Sequence, residues 1–149
     1  MEIKPVATNR KAFHEYHILE TFEAGIQLVG SEVKSLREGN ASLKESYVLI
    51  RKGEAWLKGA HIAAYSHTGF EGHEQVQDRK LLLHKKEILR IESKLAEKGL
   101  TAVPTKIYFK GGLVKLEFGL AKGKKLYDKR DTKKKRDVER DIQRALRER

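Results

Sequence analysis

The sequence predicts a mainly β protein: a small antiparallel barrel, of which an OB-like barrel is one form, with two or three packed helices and a basic C-terminal tail. Seven short runs rich in β-branched and aromatic residues follow one another closely, and strands and helices do not alternate as in a parallel sheet. Closing a small sheet into a barrel protects its edges. At 149 residues the chain suits one domain, which we place at residues 1–121.

The remaining segment, 122–149, is predicted to be a tail. It holds 13 Lys or Arg and 6 Asp or Glu, so it carries +7 of the chain's net charge of +11. It offers almost nothing that could form a core, so we expect it to be disordered in the free protein, and such charge blocks often bind a partner. The expected partner is anionic, either nucleic acid or a membrane surface.

The first part of the chain begins with a polar lead over residues 1–12. Tyr16–Glu23 and Gly25–Val29 then predict a hairpin that turns at Ala24-Gly25. Ser31–Arg37 predicts a short helix with Ser31 as its N-cap and Gly39 as its end.

The middle of the chain predicts a second hairpin. Ser46–Arg51 and Glu54–Lys58 are the strands, and Lys52-Gly53 is the turn. A further β-rich run covers Ala60–Tyr65. Residues 66–77 contain two glycines and no apolar periodicity, so we expect a surface loop there.

The second half predicts one helix and the clearest strand pair. Lys80–Leu83, with three leucines, is interpreted as a buried turn with solvated basic flanks, and it leads into a helix at about 85–98. That helix has an apolar stripe of Ile88, Ile91 and Leu95. Thr101–Lys110 and Leu113–Ala121 are alternating strands joined by Gly111-Gly112.

Catalysis has little support in the sequence. The chain has no cysteine, which excludes a disulfide, a thiolate zinc site and a cysteine nucleophile. One loop gathers His67, Glu71, His73 and Glu74, but their spacing matches no known metal motif, so we expect solvated side chains and no metal. Gly123-Lys124 lacks the glycine spacing of a phosphate loop, and no serine lies in a nucleophile-elbow motif. We therefore expect no enzyme activity and no cofactor.

Membrane association is not expected either. The chain starts without a long apolar stretch, and no window reaches 18 apolar residues, so we expect neither a signal peptide nor a spanning helix. These features favour a cytoplasmic protein.

Two features favour a nucleic acid as the anionic partner. The outward face of strand 106–110 is predicted to present Lys106, Tyr108 and Lys110, two cations flanking an aromatic ring, although an ordinary strand face shows the same residues. In the tail, Val138, Ile142 and Leu146 form a thin apolar stripe at helical spacing. Such a helix is marginal in water and gains stability against an anionic surface, whereas a mere solubility arm needs no stripe.

Five stretches taken together resemble one family, the SsrA-binding protein, also called small protein B or SmpB. They are Asn9–Tyr16, Phe22–Ile26, Gly30–Arg37, Arg79–Lys85 and Gly119–Arg130. The resemblance implies an OB-like barrel that binds the tRNA-like domain of transfer-messenger RNA and delivers it to stalled ribosomes. It also implies a C-terminal tail that enters the empty decoding centre and messenger channel as a helix. Neither catalysis nor a cofactor is implied, and the protein is expected to be a monomer in the RNA complex.

The resemblance also implies particular site residues. A first set would bind the tRNA-like domain, to which we add the strand residues above: Asn9, Arg10, Glu32, Lys34, Ser35, Arg37, Arg79, Lys80, Leu83, His84, Lys85, Lys106, Tyr108 and Lys110. A second set would bind the ribosome at the decoding centre: Gly123, Lys124, Lys125, Tyr127, Asp128, Lys129, Arg130, Val138 and Ile142.

Three positions qualify the resemblance. Phe13 stands where a basic residue is common, and Gln77-Asp78 replaces a more basic run. Glu32 is a carboxylate on a surface expected to face RNA, where it can accept from a base amino group or orient a neighbouring arginine. The alternative function is a general single-strand-binding OB module with the tail as a nonspecific clamp.

Overall fold

The structure, a computed structural model, describes residues 3–64, 73–97 and 99–124. The predictions for the tail from Lys125 onward, and for most of the loop at 66–77, fall outside these ranges. The division into a domain at 1–121 and a tail at 122–149 stays a prediction.

Nine strands and three helices occur within the described residues, two strands and one helix more than the sequence elements above. They are β1 (Ile3–Thr8), α1 (Arg10–Glu15), β2 (Tyr16–Ile26), α2 (Gly30–Arg37), β3 (Ala41–Ser42), β4 (Tyr47–Arg51), β5 (Glu54–Lys58), β6 (His61–Ile62), β7 (Arg79–Leu82), α3 (Lys85–Leu95), β8 (Leu100–Lys110) and β9 (Leu113–Gly123).

The main sheet is antiparallel and closes on itself. Its order is β1-β8-β4-β5-β7-β2-β9, and β9 also pairs with β8, so that six strands form a ring. β1 is attached outside this ring along the second half of β8, with Ile3 opposite Lys110. The short strands β3 and β6 pair separately. This architecture confirms the predicted mainly β, antiparallel fold with packed helices.

The core fills the inside of this ring. Phe22 of β2 and Phe118 of β9 stack with their ring centroids 5.6 Å apart. Leu36 of α2 and Ile91 of α3 are buried in the same cluster, so each helix inserts one large apolar side chain. Burying such a side chain contributes about 1.5–3 kcal/mol, which helps to hold each short helix on the core.

The predicted polar lead is wrong, because residues 3–15 form β1 and α1. Asn9 starts α1: its side-chain oxygen accepts from the Ala12 amide, and its own amide donates to the Thr105 carbonyl at 2.7 Å. The sequence of these six-residue elements has no strong hydrophobic periodicity, so it does not predict them. Contacts with β8 stabilise them instead.

The predicted hairpin at Ala24-Gly25 is also wrong, because β2 continues through it to Ile26. Gly25 is opposite Leu82 of β7, and a Cβ on Gly25 would lie 3.2 Å from the Leu82 Cβ. The glycine therefore serves a close approach between strands rather than a turn.

Other local predictions are confirmed or shifted. The turns at Lys52-Gly53 and Gly111-Gly112 are confirmed, and both glycines of the second turn have positive φ, as a two-residue hairpin loop requires. Helix α2 is present, but Val29 is its N-cap and the Glu32 side chain accepts from the Val29 amide, so the predicted cap Ser31 lies inside the helix.

Three further boundaries move. Of the run Ala60–Tyr65, residues 60–64 are described, and the strand there is β6, His61–Ile62. The predicted buried turn at Lys80–Leu83 is instead strand β7, in which Leu81 is buried and Leu82 exposed. The helix predicted at 85–98 ends at Leu95, and the last strand continues to Gly123, two residues beyond the predicted Ala121.

Candidate nucleic-acid interface

A buried ion pair lies at the centre of the candidate interface. The Arg79 Nε of β7 donates to the Glu32 Oε2 of α2 at 2.5 Å, and both side chains are about 2% exposed. The other Glu32 oxygen accepts from the Val29 amide, and Gln77 also donates to Oε2. Such a pair is tolerated inside a protein only when its remaining hydrogen-bonding capacity is satisfied.

The Arg79 guanidinium meets this requirement through backbone carbonyls. Nη1 donates to Ala60 at 2.8 Å and to Gln77, while Nη2 donates to Glu74 and Gln75, each at 3.2 Å. The fork of one arginine thus holds α2, the start of β6 and the segment before β7 in one arrangement. Of the two roles considered for Glu32, orienting a neighbouring arginine is the one that the geometry supports.

Asn9 and Ser35 are buried in the same manner. The Asn9 Nδ2 donates to the Pro104 carbonyl at 2.9 Å, and the Ser35 Oγ donates to the Ala63 carbonyl at 2.7 Å. Five of the fourteen residues expected to bind the RNA domain therefore have side chains enclosed by protein: Asn9, Glu32, Ser35, Arg79 and Tyr108. In this structure they position their elements and offer no open surface.

The exposed members of the same set lie next to these buried residues. On α2, Lys34 and Arg37 are exposed and three residues apart, which places them on one side of the helix. Lys80 follows Arg79 and forms an exposed ion pair with Glu54 at 3.6 Å. His84 and Lys85 are exposed at the start of α3, and Leu83 is half-buried. The ion pair connects α2 to β7, two of the elements that carry these cations, whereas Arg10 is exposed on α1, a separate element.

The prediction that β8 presents Tyr108 outward is wrong. Tyr108 is 3% exposed, and its hydroxyl donates to the Glu23 carboxylate of β2. Burial, followed by this hydrogen bond, raises the pKa of Tyr108, and the same bond lowers the pKa of Glu23. The bond draws the ring onto the sheet, so it cannot stack on a base.

The two flanking lysines are paired across the sheet. Lys106 lies 3.8 Å from Glu117 with its Nζ 5.6 Å from the Tyr108 ring centroid, and Lys110 lies 3.2 Å from Glu23. These pairs are partly exposed and weak, so a role for Lys106 and Lys110 in binding phosphate stays a prediction.

His73 has a structural position that the sequence did not indicate. Its Nδ1 lies 2.8 Å from the Ser31 Oγ, and its Nε2 lies 3.0 Å from the Ile62 carbonyl. A carbonyl only accepts, so Nε2 donates to the Ile62 carbonyl, and Nδ1 shares a hydrogen bond with the Ser31 hydroxyl. The solvated loop histidine that we expected is instead a half-buried link between α2 and β6.

The candidate metal residues do not converge where they are described. Within residues 3–64, 73–97 and 99–124, no group of three or more His, Asp or Glu side chains could hold a metal ion. His67 and Glu71 lie outside those ranges. Of the helices in the same ranges, none has the length and apolar character that a membrane crossing requires.

The start of the candidate ribosome-binding segment is held against α1. The Lys124 amide donates to the Glu15 carbonyl at 2.8 Å, and the Lys124 Nζ donates to the Phe13 carbonyl at 3.1 Å. Gly123 ends β9 opposite Tyr16. The end of β9 and the residue after it are therefore held against α1 and the start of β2. The other members of this set, Lys125, Tyr127, Asp128, Lys129, Arg130, Val138 and Ile142, lie outside the described residues.

Comparison with known proteins relates this chain to one family over almost its full length. The family model described as "SmpB protein" matches residues 6–148. Two curated proteins called SsrA-binding protein are similar to it: that of Sulfurihydrogenibium sp. (strain YO3AOP1) is 56% identical over 98% of this chain and 96% of its own. That of Carboxydothermus hydrogenoformans is 55% identical over 98% of both chains.

A solved structure gives the same result for the fold. A chain from work described as "tmRNA-SmpB: a journey to the center of the bacterial ribosome" is 48% identical, with a TM-score of 0.70 over 82% of this chain and 86% of its own. The sequence resemblance is thus confirmed by both kinds of relative. The chain belongs to the SmpB protein family.

Proposed function

We propose that this protein binds the tRNA-like domain of transfer-messenger RNA and delivers it to stalled ribosomes for trans-translation. The names of the similar proteins support this function, since the curated relatives are called SsrA-binding protein and the solved relative is described with tmRNA and the bacterial ribosome. The observation that carries it is the buried Glu32–Arg79 pair, because it joins α2, which bears the exposed Lys34 and Arg37, to β7, which leads to the exposed His84 and Lys85.

The residues of the candidate interface divide into two roles. Lys34, Arg37, Lys80, His84 and Lys85 contact the RNA, chiefly at phosphates, and Arg10 adds a further cation from α1. Asn9, Glu32, Ser35 and Arg79 hold the elements that carry them. This division follows from burial, since an enclosed side chain cannot reach a ligand unless its neighbours move.

The tail binds a second RNA, that of the ribosome. Residues Gly123–Arg130 bind near the decoding centre, and the stripe that includes Val138 and Ile142 forms a helix in the messenger channel. The anchoring of Lys124 to α1 supports this arrangement, because it sets the point at which the tail leaves the body.

The protein acts in the cytoplasm as a binding factor rather than as an enzyme. Among the described residues, Ser31 and His73 form a contact of the kind found in catalytic pairs, yet the third group is the Ile62 carbonyl and both residues join structural elements. Binding, without a cofactor, accounts for the arrangement of the exposed charges.

The RNA that copurifies with the full chain from bacterial cells tests this function. We expect one discrete RNA with a tRNA-like domain, enriched well above its share of total RNA. A matched preparation of the Arg37→Gln, Lys80→Gln variant should lose that enrichment while folding normally. A broad mixture of RNAs in proportion to their abundance would contradict the proposal.

A further inference from the structure

The outer face of β4, β5 and β7 includes Lys80, already assigned to RNA, and has a chemistry of its own. Val48, Ala55, Leu57 and Leu81 point into the core, so the residues between them point outward. The register places Leu49 opposite Trp56 and Trp56 opposite Lys80, so that one row crosses all three strands.

Trp56 is the centre of this face. It is the only tryptophan of the chain, and it lies half-buried on the surface, whereas Phe22 and Phe118 are buried in the core. The guanidinium carbon of Arg51 lies 5.4 Å from the ring centroid. An accessible indole with a guanidinium beside it combines a stacking surface and a charge, which is the usual composition of a site for unpaired nucleotides.

The other cations of the face are loosely paired. Lys58 lies 3.7 Å from Asp78, and Lys80 lies 3.6 Å from Glu54, with all four side chains partly exposed. Exposed pairs at these distances contribute little, so either ammonium can turn to a phosphate at small cost.

The face leads into a cleft beside the candidate RNA-binding residues. Leu82, on the same face, is 55% exposed and borders a cleft of about 470 Å³ that His84 and Lys115 also line. Gly25 is part of its wall and places no side chain there. Leu83 lines the same cleft, so the surface around Trp56 continues toward residues already assigned to RNA.

We propose that the outer face of β4, β5 and β7 binds unpaired nucleotides of the RNA partner, with one base stacked on Trp56. Arg51, Lys58 and Lys80 bind phosphates of that strand, which continues along Leu82 into the cleft. Unpaired nucleotides are the ligand that fits because a double helix exposes no base face for an indole to stack on. This inference rests on the proposed function in taking the partner to be that RNA.

The fluorescence of the full-length protein tests this directly, because all tryptophan emission comes from Trp56. The probe is the tRNA-like domain with its natural loops, at fixed salt, with affinity measured independently by filter binding. We expect the emission to be quenched as the RNA binds, with the same midpoint as the filter assay. A short unpaired oligoribonucleotide should quench it more weakly, at higher concentration.

Variants separate stacking from charge. Trp56→Leu should weaken RNA binding by about tenfold, as expected for the stacking of one base. Arg51→Gln should reduce the salt dependence of binding, whereas the control Lys44→Gln, an exposed lysine outside these strands, should change neither. The wild-type fluorescence needs no variant, so the test holds even if Trp56→Leu folds poorly.

Three outcomes would overturn this inference. One is wild-type RNA binding with unchanged emission at saturation, which leaves the proposed function standing. Another is quenching in the wild type together with an unchanged RNA affinity in a folded Trp56→Leu variant. The third is emission that responds to ribosomal proteins and not to RNA, which would assign the face to a protein partner. Failure to bind the tRNA-like domain at all would instead contradict the proposed function, and this inference with it.

Discussion

Glu32 of α2 and Arg79 of β7 are joined by a hydrogen-bonded ion pair buried inside the domain, although 47 residues separate them in the chain. The guanidinium also donates to the carbonyls of Ala60, just before β6, and Glu74, which precedes β7. This pair therefore determines how the exposed cations of α2 and of the β7–α3 region lie relative to each other.

The first prediction concerns Arg79→Met. Removing one partner leaves the Glu32 carboxylate buried without its charge partner, so we expect the free energy of unfolding to fall by about 3–5 kcal/mol. Arg79→Lys should recover little of this loss, since an ammonium cannot replace the guanidinium fork. Urea unfolding measures both variants.

Lys80→Gln is the matched control for this prediction, because Lys80 is the adjacent residue and its side chain is partly exposed. Its stability should change by no more than about 0.5 kcal/mol, while its affinity for the tRNA-like domain falls. An Arg79→Met protein as stable as the wild type would show that the pair does not hold the interface together.

The second prediction concerns the exposed cations of α2. Lys34→Gln and Arg37→Gln should leave unfolding unchanged and weaken binding to the RNA, each lowering the slope of log affinity against log salt by about one. Binding at several salt concentrations measures this slope, with Lys44→Gln as the control. Slopes equal to that of the wild type would exclude phosphate contacts by these residues.

The third prediction concerns Tyr108→Phe. The change removes the hydroxyl that donates to Glu23, so it should cost about 0.5–1.5 kcal/mol in stability and leave RNA binding unchanged. Urea unfolding and filter binding measure the two effects. A large loss of RNA affinity in a stable variant would restore the ring as a contact residue.

The same residue gives a fourth prediction, for pH. The Tyr108 hydroxyl holds the pKa of Glu23 below its ordinary value, so the stabilisation is present above the unfolded-state pKa. It is lost as the pH falls through the lower folded-state pKa. Unfolding measured across the acidic range should therefore show a smaller loss of stability in Tyr108→Phe than in the wild type. Parallel curves would contradict this account of Glu23.

The fifth prediction concerns deletion of residues 131–149. The body and the anchored Lys124 remain, so binding to the tRNA-like domain should persist while rescue of stalled ribosomes in a purified translation system fails. Binding and rescue measured on one preparation check this. Loss of both activities would mean that the tail also helps to capture the RNA.

Much of the fold follows from local patterns in the sequence. The alternation in β8 and β9 and the Gly111-Gly112 turn predict that pair correctly, since period and turn chemistry agree. β1 and α1 could not be predicted this way. Their order depends on contacts with β8, such as the Asn9 amide to the Thr105 carbonyl, which lie far away in sequence.

The sequence predicts which residues belong to the candidate site but not which of them are buried. Family motifs indicate Glu32, Lys34, Arg37 and Arg79 alike, because each is a charged residue in a matching stretch. Only the fold distinguishes them: the pairing of α2 with β7 buries Glu32 and Arg79 and leaves Lys34 and Arg37 exposed. The burial of Tyr108 has the same origin, since Glu23 lies on another strand.

The most direct test of the central claim is a comparison of two affinities under one set of conditions. The full-length protein is titrated with the tRNA-like domain and with single-stranded RNA of the same length, at the same salt concentration. We expect a clear preference for the folded domain, and Arg37→Gln, Lys80→Gln should reduce that preference. Equal affinity for the two RNAs would contradict the account and favour a general single-strand-binding protein.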